Sequence, residues 1–494
     1  MINKTIFDDK IVLWWDRQKE RVQGCKYRIE YAGETAYTEK THFTVQKSAA
    51  TGNKIDLKVE IVDIDGIVIK TLAEETLSFA QSKNRIDITK EPYCAKGDGK
   101  TLNTAALQKA IDDCGKNDVV YIPAGVFMTG ALTLHGDMEL FVSKGATLQG
   151  TDNPEDYLPK IKSRFEGIER ECYRSLLNLG EIDSQGGYTS QNVVIRGDGA
   201  ILGGGRNLMI GIIEKETGLT YDEANCYTSL YRQGWVSRGR LLQACNCKNV
   251  VIADLTVGQA ASWNLHFIYS KDIVTFGCKI VSSNVNNGDG IDPDSSENCT
   301  IFDCDFDTRD DMIAIKSGKN PEGNIIGRPS RNVKAFDCRS KHGHGLAIGS
   351  EISGGIDGVF IWDCHMEKSR CGFEIKGSKE RGGYVKNVIV NDSEFSILAI
   401  RAVEYNSYGE AAPHPPVFEN YHFENITLSG VCIKHNGETW DESAIIAEGF
   451  DDDKYCLKNV KLKDITLKHR ETNPKHNMSL FFVKGLSIDN IICK

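Results

Sequence analysis

The stretch KDIVTFGCKI (271–280) carries the pattern on which the fold prediction rests. Near-copies follow it as ENCTIFDCDF (297–306), RNVKAFDCRS (331–340) and DGVFIWDCHM (357–366). Each copy has a polar turn residue, then a short run rich in apolar and β-branched residues, then a cysteine. Alternation with a period of two indicates a β-strand, and Asn, Asp or Gly at its start indicates a turn. The copies therefore predict one repeated strand and turn unit.

Similar strands extend this repeat in both directions, from NVVI (192–195) to NVKL (459–462). Several intervals between strands are 23 to 29 residues, and the longer intervals are multiples or contain insertions. Such a period, with short strands and little helix, is typical of a solenoid of β-coils. Leucine-rich repeats have a similar period, but their fixed leucine spacing is absent. We therefore predict an all-β protein whose main part is a right-handed parallel β-helix.

Cysteines occur at an equivalent point of four repeats, at Cys278, Cys304, Cys338 and Cys364. Stacked in successive coils, they would form an interior ladder of small apolar side chains. A zinc site needs close cysteine pairs, and the only close pair is CNC (245–247). The sequence therefore predicts reduced structural thiols and no metal.

The first part of the chain, residues 1–85, has a different pattern. Short alternating runs such as IVLWW (11–15) and YRIEY (27–31) are separated by Gly, Asn and Asp, as in a small antiparallel β-sandwich. The pair Trp14 and Trp15, followed by YRIEY, resembles a fibronectin type III module. Such a module would either bind sugar or serve as a spacer or wall beside the active site.

The predicted β-helix domain covers residues 90–494. Near its start, NTAALQKAIDDC (103–114) places apolar residues broadly at helical spacing, with Asn103 or Thr104 as a possible N-cap. We expect a helix there that closes the open end of the stack.

The charge balance limits the possible partners. A net charge of −10 argues against nucleic acid, because phosphate neutralisation needs clustered Lys and Arg. An anionic substrate would have to be met by a local basic pocket. No apolar run is long enough to span a bilayer, and the N-terminus has charges where a signal peptide would be apolar. We expect a cytoplasmic protein without a membrane partner.

Chemically active side chains recur at coil spacing. Asp289 and Asp310 are 21 residues apart, which is about one coil, and Asp311 follows directly. His344 lies 34 residues beyond Asp310, and Lys376 lies another 32 residues on, so each belongs about one coil further along once inserted loops are allowed for. Equivalent positions in neighbouring coils stack at about 4.8 Å. Four consecutive coils would then present these residues along one groove.

This set of side chains suits glycoside hydrolysis. One carboxyl group must be protonated to donate to the leaving oxygen, and another must be ionised to activate water. Three aspartates close together cannot all ionise cheaply, so one proton is retained at a raised pKa. Single acidic pairs are usually solvated turn residues, but aspartates in register with a histidine and a lysine favour catalysis.

The same motifs resemble those of family 28 glycoside hydrolases, the polygalacturonase family, and the resemblance runs from about residue 90 to near the end of the chain. That family has, in order, the motifs Asn-Thr-Asp, Asp-Asp, Gly-His-Gly and Arg-Ile-Lys. The corresponding residues of this chain are Asn287-Gly288-Asp289, Asp310-Asp311, Gly343-His344-Gly345 and Glu374-Ile375-Lys376.

The resemblance implies an inverting hydrolase of α-1,4-galacturonide linkages in pectin or oligogalacturonides that needs no cofactor. It makes Asp310 the general acid, with His344 supporting its proton. It makes Asp289 and Asp311 the residues that activate water, and Lys376 the ligand of the sugar carboxylate.

Two features of the substrate subsite follow from the same resemblance. Asn287 is expected to contribute to substrate binding. Glu374, however, stands where the family has an arginine that holds the substrate carboxylate. Either another cation takes that role, with Arg381, Lys379 and Arg370 close in sequence, or the substrate is a related pectic glycan such as rhamnogalacturonan. Among these cations we predict Arg381 as a substrate ligand.

The sequence leaves two alternative functions and the mode of attack to be considered. A pectate lyase is also a parallel β-helix, but it would need calcium and would leave the Gly-His-Gly motif without a role. A non-catalytic glycan-binding solenoid would not need three stacked aspartates. Two long polar segments, 152–190 and 206–240, exceed plain turns, and loops of that length are usually functional. We expect them to wall off one end of the groove, which favours exo attack, rather than to pack only against the N-terminal sandwich.

Overall fold

The computed structural model describes residues 2–20, 24–50, 52–226, 236–404, 409–434, 436–468 and 477–494. The chain divides into two compact units, Met1–Asn84 and Arg85–Lys494. Strands predominate in both units, so the predicted all-β fold class is confirmed. No helix in the described part of the chain is both long and apolar enough to cross a membrane.

The N-terminal unit contains two antiparallel sheets around one apolar core. Trp15 and Tyr27, one from each sheet, lie in that core with their ring centroids 5.0 Å apart in an edge-to-face arrangement. Its resemblance to a fibronectin type III module stays a prediction. The strands are β1 (Ile2–Ile6), β2 (Lys10–Trp15), β3 (Lys26–Tyr31), β4 (Glu34–Thr38), β5 (His42–Gln46), β6 (Lys54–Val62) and β7 (Val68–Ser78). The three-stranded sheet has the order β1-β2-β5 and the four-stranded sheet the order β4-β3-β6-β7.

The second unit is a parallel β-helix, as predicted, with two long sheets whose neighbouring strands come from successive coils. A typical coil places two consecutive strands in the first sheet and one in the second. The first sheet contains β8 (Asn84–Asp87), β9 (Asp98–Leu102), β10 (Asp118–Ile122), β11 (Gly125–Thr129), β13 (Met138–Val142), β14 (Ala146–Gly150), β18 (Ser190–Arg196), β19 (Ala200–Leu202), β21 (Cys247–Ala253), β22 (Thr256–Gly258), β24 (Lys271–Phe276), β25 (Lys279–Ser282), β27 (Glu297–Phe302), β28 (Asp305–Thr308), β30 (Ser330–Phe336), β31 (Arg339–His342), β33 (Ile356–Trp362), β34 (His365–Met366), β36 (Tyr384–Phe395), β38 (Val417–Leu428), β42 (Leu457–Leu467), β44 (Val483–Lys484) and β45 (Ser487–Cys493).

The second long sheet carries the positions that matter for function. Its strands, in spatial order, are β12 (Leu132–Leu134), β17 (Leu177–Leu179), β20 (Leu242–Cys245), β23 (Leu265–Ile268), β26 (Ile291–Asp294), β29 (Ile313–Ile315), β32 (Gly345–Ile348), β35 (Gly372–Ser378), β37 (Ile397–Val403), β41 (Ile445–Glu448) and β43 (Met478–Phe481). Because the spatial order equals the chain order, each coil lies directly on the preceding one.

Helices and hairpins interrupt the coils. The hairpins are β15 (Ile161–Phe165) with β16 (Ile168–Cys172), and β39 (Val431–Ile433) with β40 (Thr439–Asp441). The α-helices are α1 (Thr104–Asp112), α2 (Gly205–Thr217), α3 (Tyr221–Cys226) and α4 (Glu322–Ile326), and short 3₁₀ helices span Lys47–Ala49, Pro154–Tyr157 and Lys379–Arg381.

Helix α1 forms where the 103–114 pattern predicted it. Leu107, Ala110 and Ile111 are buried in the β-helix core. Asn103 precedes the helix, but its side chain does not cap it and instead bonds the backbone of Lys96 through both the N–H and the carbonyl.

The asparagine that leads each repeat strand has a structural reason. Asn249, Asn298 and Asn332 adopt positive φ angles of 56°, 54° and 51°, a left-handed conformation that Asn tolerates better than most residues. Their side-chain amides also bond from coil to coil, because Asn332 Nδ2 donates to Asn298 Oδ1 at 2.8 Å and Asn298 Nδ2 donates to Asp272 Oδ1 at 2.7 Å. The turn residue therefore both bends the chain and links neighbouring coils.

The cysteines that follow the strands lie inside the stack. Cys278, Cys304, Cys338 and Cys364 are at most 1% exposed and belong to the apolar core. Every cysteine whose side chain the structure describes is free. An interior position explains the choice of a small apolar side chain, as the sequence predicted.

Candidate active site

The four motifs lie on neighbouring strands of the second long sheet. Asp289 precedes β26, Asp310 and Asp311 precede β29, His344 precedes β32, and Lys376 lies within β35. These strands are consecutive in the sheet. Coil stacking therefore brings together residues that are far apart in sequence, as their spacing predicted.

Direct contacts join the second, third and fourth motifs. His344 Nδ1 lies 2.9 Å from Asp310 Oδ1 and 3.6 Å from Asp311 Oδ1. Lys376 Nζ lies 3.3 Å from Asp311 Oδ2. One histidine and one lysine therefore hold the two adjacent carboxylates from different coils.

A second lysine, Lys316, joins the first motif to the same cluster. Its Nζ lies 3.5 Å from Asp289 Oδ2, 3.6 Å from Asp292 Oδ1 and 3.4 Å from Glu351 Oε2. The same ammonium lies 4.8 Å from the ring centroid of Trp263, in a cation–π arrangement. The Lys316 side chain is only 6% exposed, so it is a buried cation among three carboxylates.

Asp292, Lys316 and Glu351 were not among the predicted site residues, although each lies within a few residues of a predicted motif. Asp292 lies three residues after Asp289, in the run NNGDGIDPDSS. The available signal was weak, because a single Lys or Glu near an acidic motif is usually solvated. Only burial and coil stacking distinguish these three residues from surface charges.

Burial and mutual charge separate the pKa values of the aspartates. Burial, together with the nearby charge of Asp310, raises the pKa of Asp289 well above its usual range. Burial also raises the pKa of Asp292 to about 8. Burial acts in the same direction on Asp310, but the charge and hydrogen bond of His344 outweigh it and lower the pKa of Asp310. The first two carboxyls therefore retain protons more readily than the third.

The pKa of His344, which pairs with Asp310, shifts in the opposite direction. Burial opposes its charged form, but the charge and hydrogen bond of Asp310 raise the pKa of His344 to about 9. Asp311 has a lowered pKa, because Lys376 and His344 overcome the effect of its burial. At neutral pH the unliganded protein thus holds a protonated His344 against two ionised aspartates.

This pairing predicts a pH-dependent loss of stability in His344→Gln. Because folding raises the pKa of His344, its ion pair contributes fully to the free energy of unfolding below the pKa of the unfolded state, near 6.5. That contribution disappears as the pH rises through about 9. We expect the variant to lose about 1–3 kcal/mol at pH 6 and little at pH 9.5, since one pKa unit corresponds to ~1.4 kcal/mol. Urea unfolding at both pH values measures the difference.

The control for loss of an imidazole is His422→Gln on β38, whose ring pairs with Glu424 at 3.0 Å. A loss in His344→Gln that is the same at pH 6 and pH 9.5 would contradict an ionic contribution from this pair.

Two predicted substrate ligands have other partners. Asn287 has a φ of 53°, and its Oδ1 accepts a hydrogen bond of 2.7 Å from buried Arg238, which orients the loop before Asp289. Arg381 is fully buried and donates to Asn320 Oδ1 at 2.6 Å and to the carbonyl of Ser350 at 3.1 Å. These contacts favour a structural role for Arg381, because its guanidinium has no exposed surface for a sugar.

A cavity of about 550 Å³ adjoins Asp310 and His344. Arg370, one of the cations considered as a replacement for the missing arginine, lies on its wall with its guanidinium 3.5 Å from His344 Nε2. A cation that the sequence analysis missed, Arg401, comes from β37 and lines the same cavity. The other polar and aromatic wall residues include Glu374, Lys376, Trp440 and Glu442.

The first long segment, 152–190, supplies the hairpin of β15 and β16. Buried Arg164, on this hairpin, pairs with Asp294 at 2.9 Å, and the carbonyl of Gly167 at the hairpin turn accepts from the N–H of Lys319 at 3.0 Å. Asp294 ends β26, and Lys319 follows β29. The hairpin therefore packs on the same coils that carry the aspartates.

The second long segment also touches this region. The hydroxyl of Tyr221, in α3, accepts a hydrogen bond of 2.9 Å from Asn286, which precedes Asn287. Part of the predicted wall, residues 227–235, lies outside the described residues.

Two carboxyl groups and one imidazole in this cluster have the spacing of metal ligands, but a lysine already lies beside them. One oxygen each of Asp310 and Asp311 and a ring nitrogen of His344 lie within 4.8 Å of one another, a spacing that suits a metal ion. Lys376, 3.3 Å from Asp311, already supplies positive charge there. The absence of a metal requirement stays a prediction.

A parallel β-helix carrying clustered carboxyl groups with histidine and lysine partners has the parts that a glycoside hydrolase needs. Comparison with known proteins agrees: the model of glycosyl hydrolases family 28 matches residues 120–475. The chain belongs to family 28 of the glycosyl hydrolases and is a glycosidase. The lyase and non-catalytic alternatives are accordingly set aside.

Relatives within the family include both modes of attack. An exo-poly-α-D-galacturonosidase of Dickeya chrysanthemi is 28% identical over 446 residues, covering 84% of this chain and 73% of the relative. An endo-polygalacturonase of Pectobacterium carotovorum subsp. carotovorum is 28% identical over 420 residues, covering 79% and 94%.

Solved structures show the same fold. An exopolygalacturonase from Thermotoga maritima has a TM-score of 0.69 at 26% identity, covering 83% of this chain and 92% of that one. A family 28 exopolygalacturonase from Yersinia enterocolitica has a TM-score of 0.75 at 20% identity, covering 99% and 98%. The second alignment therefore extends over nearly all of both chains.

Proposed function

We propose that this glycosidase removes galacturonic acid units from the ends of α-1,4-linked galacturonide chains, with inversion at the anomeric carbon. The observation that carries the proposal is the contact chain Lys376–Asp311–His344–Asp310, which borders the cavity, with Asp289 electrostatically coupled to it. The family relatives named above act on polygalacturonate, which supports the substrate class.

In this proposal Asp310 is the general acid and Asp289 and Asp311 activate the attacking water. Asp310 is ionised in the free enzyme, and the proton it needs resides on His344 at 2.9 Å. Lys376 is one of the charges that lower the pKa of Asp310. A substrate carboxylate that binds Lys376 would offset that charge and raise the pKa of Asp310, which favours transfer of the shared proton from His344 Nδ1 to Asp310.

The water-activating pair would act from the other side of the cluster. Asp311 is kept ionised by Lys376 and His344, so its carboxylate is available to accept a proton from water. Asp289, whose pKa is raised, must first lose its own proton; Lys316, 3.5 Å away, favours that ionised form, in which Asp289 can share the proton of the water with Asp311. Glycoside inversion requires an acid and a base of this kind on opposite faces of the sugar.

End-directed attack is supported by the hairpin of β15 and β16. Because it is tied to Asp294 and to Lys319 on the coils beside the aspartates, we expect it to limit how far a polysaccharide extends across that side. A closed side selects chain termini and leaves the cavity beside Asp310 for the remaining chain. Loops of this length commonly shape such sites.

Digestion of long homogalacturonan is the experiment that tests the function. We expect new reducing ends without an unsaturated, ultraviolet-absorbing sugar, steady release of mono- or disaccharide, and slow loss of viscosity. Early mid-sized fragments with rapid thinning would contradict exo attack, and the unsaturated product would contradict hydrolysis. Proton NMR of the first product tests inversion.

Rhamnogalacturonan is a second candidate substrate, because Glu374 replaces the arginine of the family motif. The same assay on rhamnogalacturonan and on short oligogalacturonides compares the two. Faster cleavage of rhamnogalacturonan would make it the preferred substrate and would contradict the galacturonide proposal.

A further inference from the structure

The cavity beside Asp310 contains a charge arrangement that the catalytic proposal does not use. Glu374 Oε2 lies 3.4 Å from Lys376 Nζ, and Glu374 Oε1 lies 3.6 Å from Arg401 Nε. Each carboxylate oxygen of Glu374 therefore faces a different cation. The negative charge at this position is balanced within the protein and does not confront the substrate alone.

The strand register places the two cations side by side. In the parallel pair of β35 and β37, Lys376 and Arg401 are Cα partners, so they occupy equivalent positions on adjacent coils. Such neighbours are about 4.8 Å apart along the stack. Both side chains line the cavity, and the Arg401 side chain keeps 27% of its surface exposed. A ligand in the cavity can reach both.

The size and lining of the cavity suit a sugar ring. Its volume of about 550 Å³ lies within the range of about 300–1,000 Å³ that is usual for small-ligand sites. Trp440 lines the cavity and packs against the apolar cluster that contains Ile397 and Cys432. Aromatic side chains together with a few polar groups are the usual lining of a small-ligand site.

The charge of the cavity favours an anion. The cavity is lined by three cationic side chains and three carboxylates. The cations are Arg370, Lys376 and Arg401, and the carboxylates are those of Asp310, Glu374 and Glu442. His344, whose pKa is raised to about 9, adds a further positive charge at neutral pH. The lining is therefore locally positive on a chain whose net charge is −10.

We propose that Arg401, held by Glu374 beside Lys376, binds the carboxylate of the uronic acid residue on the leaving-group side of the scissile bond. A guanidinium can bind a carboxylate through two parallel hydrogen bonds, which Lys376 alone cannot do. Arg401 thereby selects free uronates over neutral or esterified sugars. This inference rests on the proposed function, because it takes a galacturonide as the substrate.

Arg401→Gln is the test, measured as kcat/KM on oligogalacturonides and on their methyl esters. We expect kcat/KM on the free acid to fall by about 10–10²-fold, mainly through KM, because a charged partner is lost. The methyl ester, which has no charge to pair, should change by less than about threefold. Arg331→Ala, which removes an exposed arginine paired with Glu297 at 3.7 Å, is the control and should change neither substrate.

Two further variants separate binding from structural support. Arg401→Lys keeps the charge but loses the two-point geometry, and we expect about a 5–10-fold loss on the free acid. Arg401→Glu should abolish the preference for the free acid, and Glu374→Arg combined with Arg401→Glu should recover at least about tenfold of it, because the ion pair is restored in reverse. Thermal unfolding of each variant checks the fold, and Arg401→Lys serves if Arg401→Gln does not fold.

The outcomes distinguish this inference from the proposed function. A wild-type enzyme that cleaves no galacturonide overturns the proposed function and this inference together. An active wild type whose acid-to-ester ratio is unchanged in Arg401→Gln overturns this inference only. A failure of the double variant Glu374→Arg/Arg401→Glu to recover any preference, with the double variant and Arg401→Glu both folded, also overturns it.

Discussion

Asp310→Asn is expected to lower kcat by about 10²–10⁴-fold, the range typical of a lost general acid, while the protein remains folded. The amide has the shape of the carboxyl group and can still accept a hydrogen bond from His344 Nδ1. In the wild type this nitrogen lies 2.9 Å from Asp310 Oδ1. It cannot take up the proton and deliver it to the leaving oxygen. Initial rates on oligogalacturonides, with thermal unfolding as the check on folding, measure the effect.

The matched control is Asp305→Asn, in the same coil, because Asp305 is half exposed and pairs with Arg339 at 2.6 Å on the surface. The control should retain wild-type rates. Near wild-type activity in folded Asp310→Asn would end the assignment of Asp310.

A substrate with an activated leaving group separates the roles of the aspartates. Such a leaving group departs without a proton, so Asp310→Asn should recover much of the wild-type rate on an aryl galacturonide. Asp289→Asn and Asp311→Asn should not recover, because water must still be activated. The raised pKa of Asp289 makes it the competing candidate for the acid. Recovery in Asp289→Asn instead of Asp310→Asn would exchange the two assignments.

Lys316→Met is expected to have the largest effect on stability. It leaves Asp289, Asp292 and Glu351 without their shared cation, and removing one partner from a buried ionic cluster costs about 3–5 kcal/mol. We also expect kcat to fall by about 10²-fold, because the water-activating carboxylate then ionises less readily. Urea unfolding and initial rates measure the two effects separately.

The loss should depend on pH. Without Lys316 the pKa values of Asp289 and Asp292, already raised by burial, rise further above their unfolded values, near 4, and Glu351 loses the nearest charge that lowers its pKa. A carboxyl group whose pKa is higher in the folded state than in the unfolded state does not lower the free energy of unfolding when the pH is below its unfolded-state pKa. Its destabilising effect grows as the pH rises toward its folded-state pKa. The variant should therefore lose more stability at pH 8 than at pH 5.

Lys341→Met is the control, because Lys341 is 71% exposed and pairs with Asp307 at 2.6 Å. It should cost at most about 1 kcal/mol, as exposed ion pairs do. A loss in Lys316→Met no greater than in the control would show that the buried cluster does not depend on Lys316.

The sequence by itself determined the repeat, the parallel β-helix and the order of the four site motifs. The repeat can be recognised in the sequence because every coil needs an Asn, Asp or Gly where the backbone adopts a left-handed conformation, as at Asn298. Every coil also needs an apolar residue where the side chain points into the core, as at Cys304. The motifs can be recognised because residues about one coil apart in the sequence lie close together in space when the coils stack.

The tertiary structure alone decided which charges belong to the site. Intervals between coils vary with the inserted loops, so spacing does not reveal that Arg401 is the register partner of Lys376 or that Lys316 meets Glu351. Sequence proximity favoured Arg381 over Arg401, but Arg381 is fully buried, whereas Arg401 lines the cavity. The physical reason is that burial and charge pairing depend on what packs above each coil, and those neighbours come from segments far away in the chain.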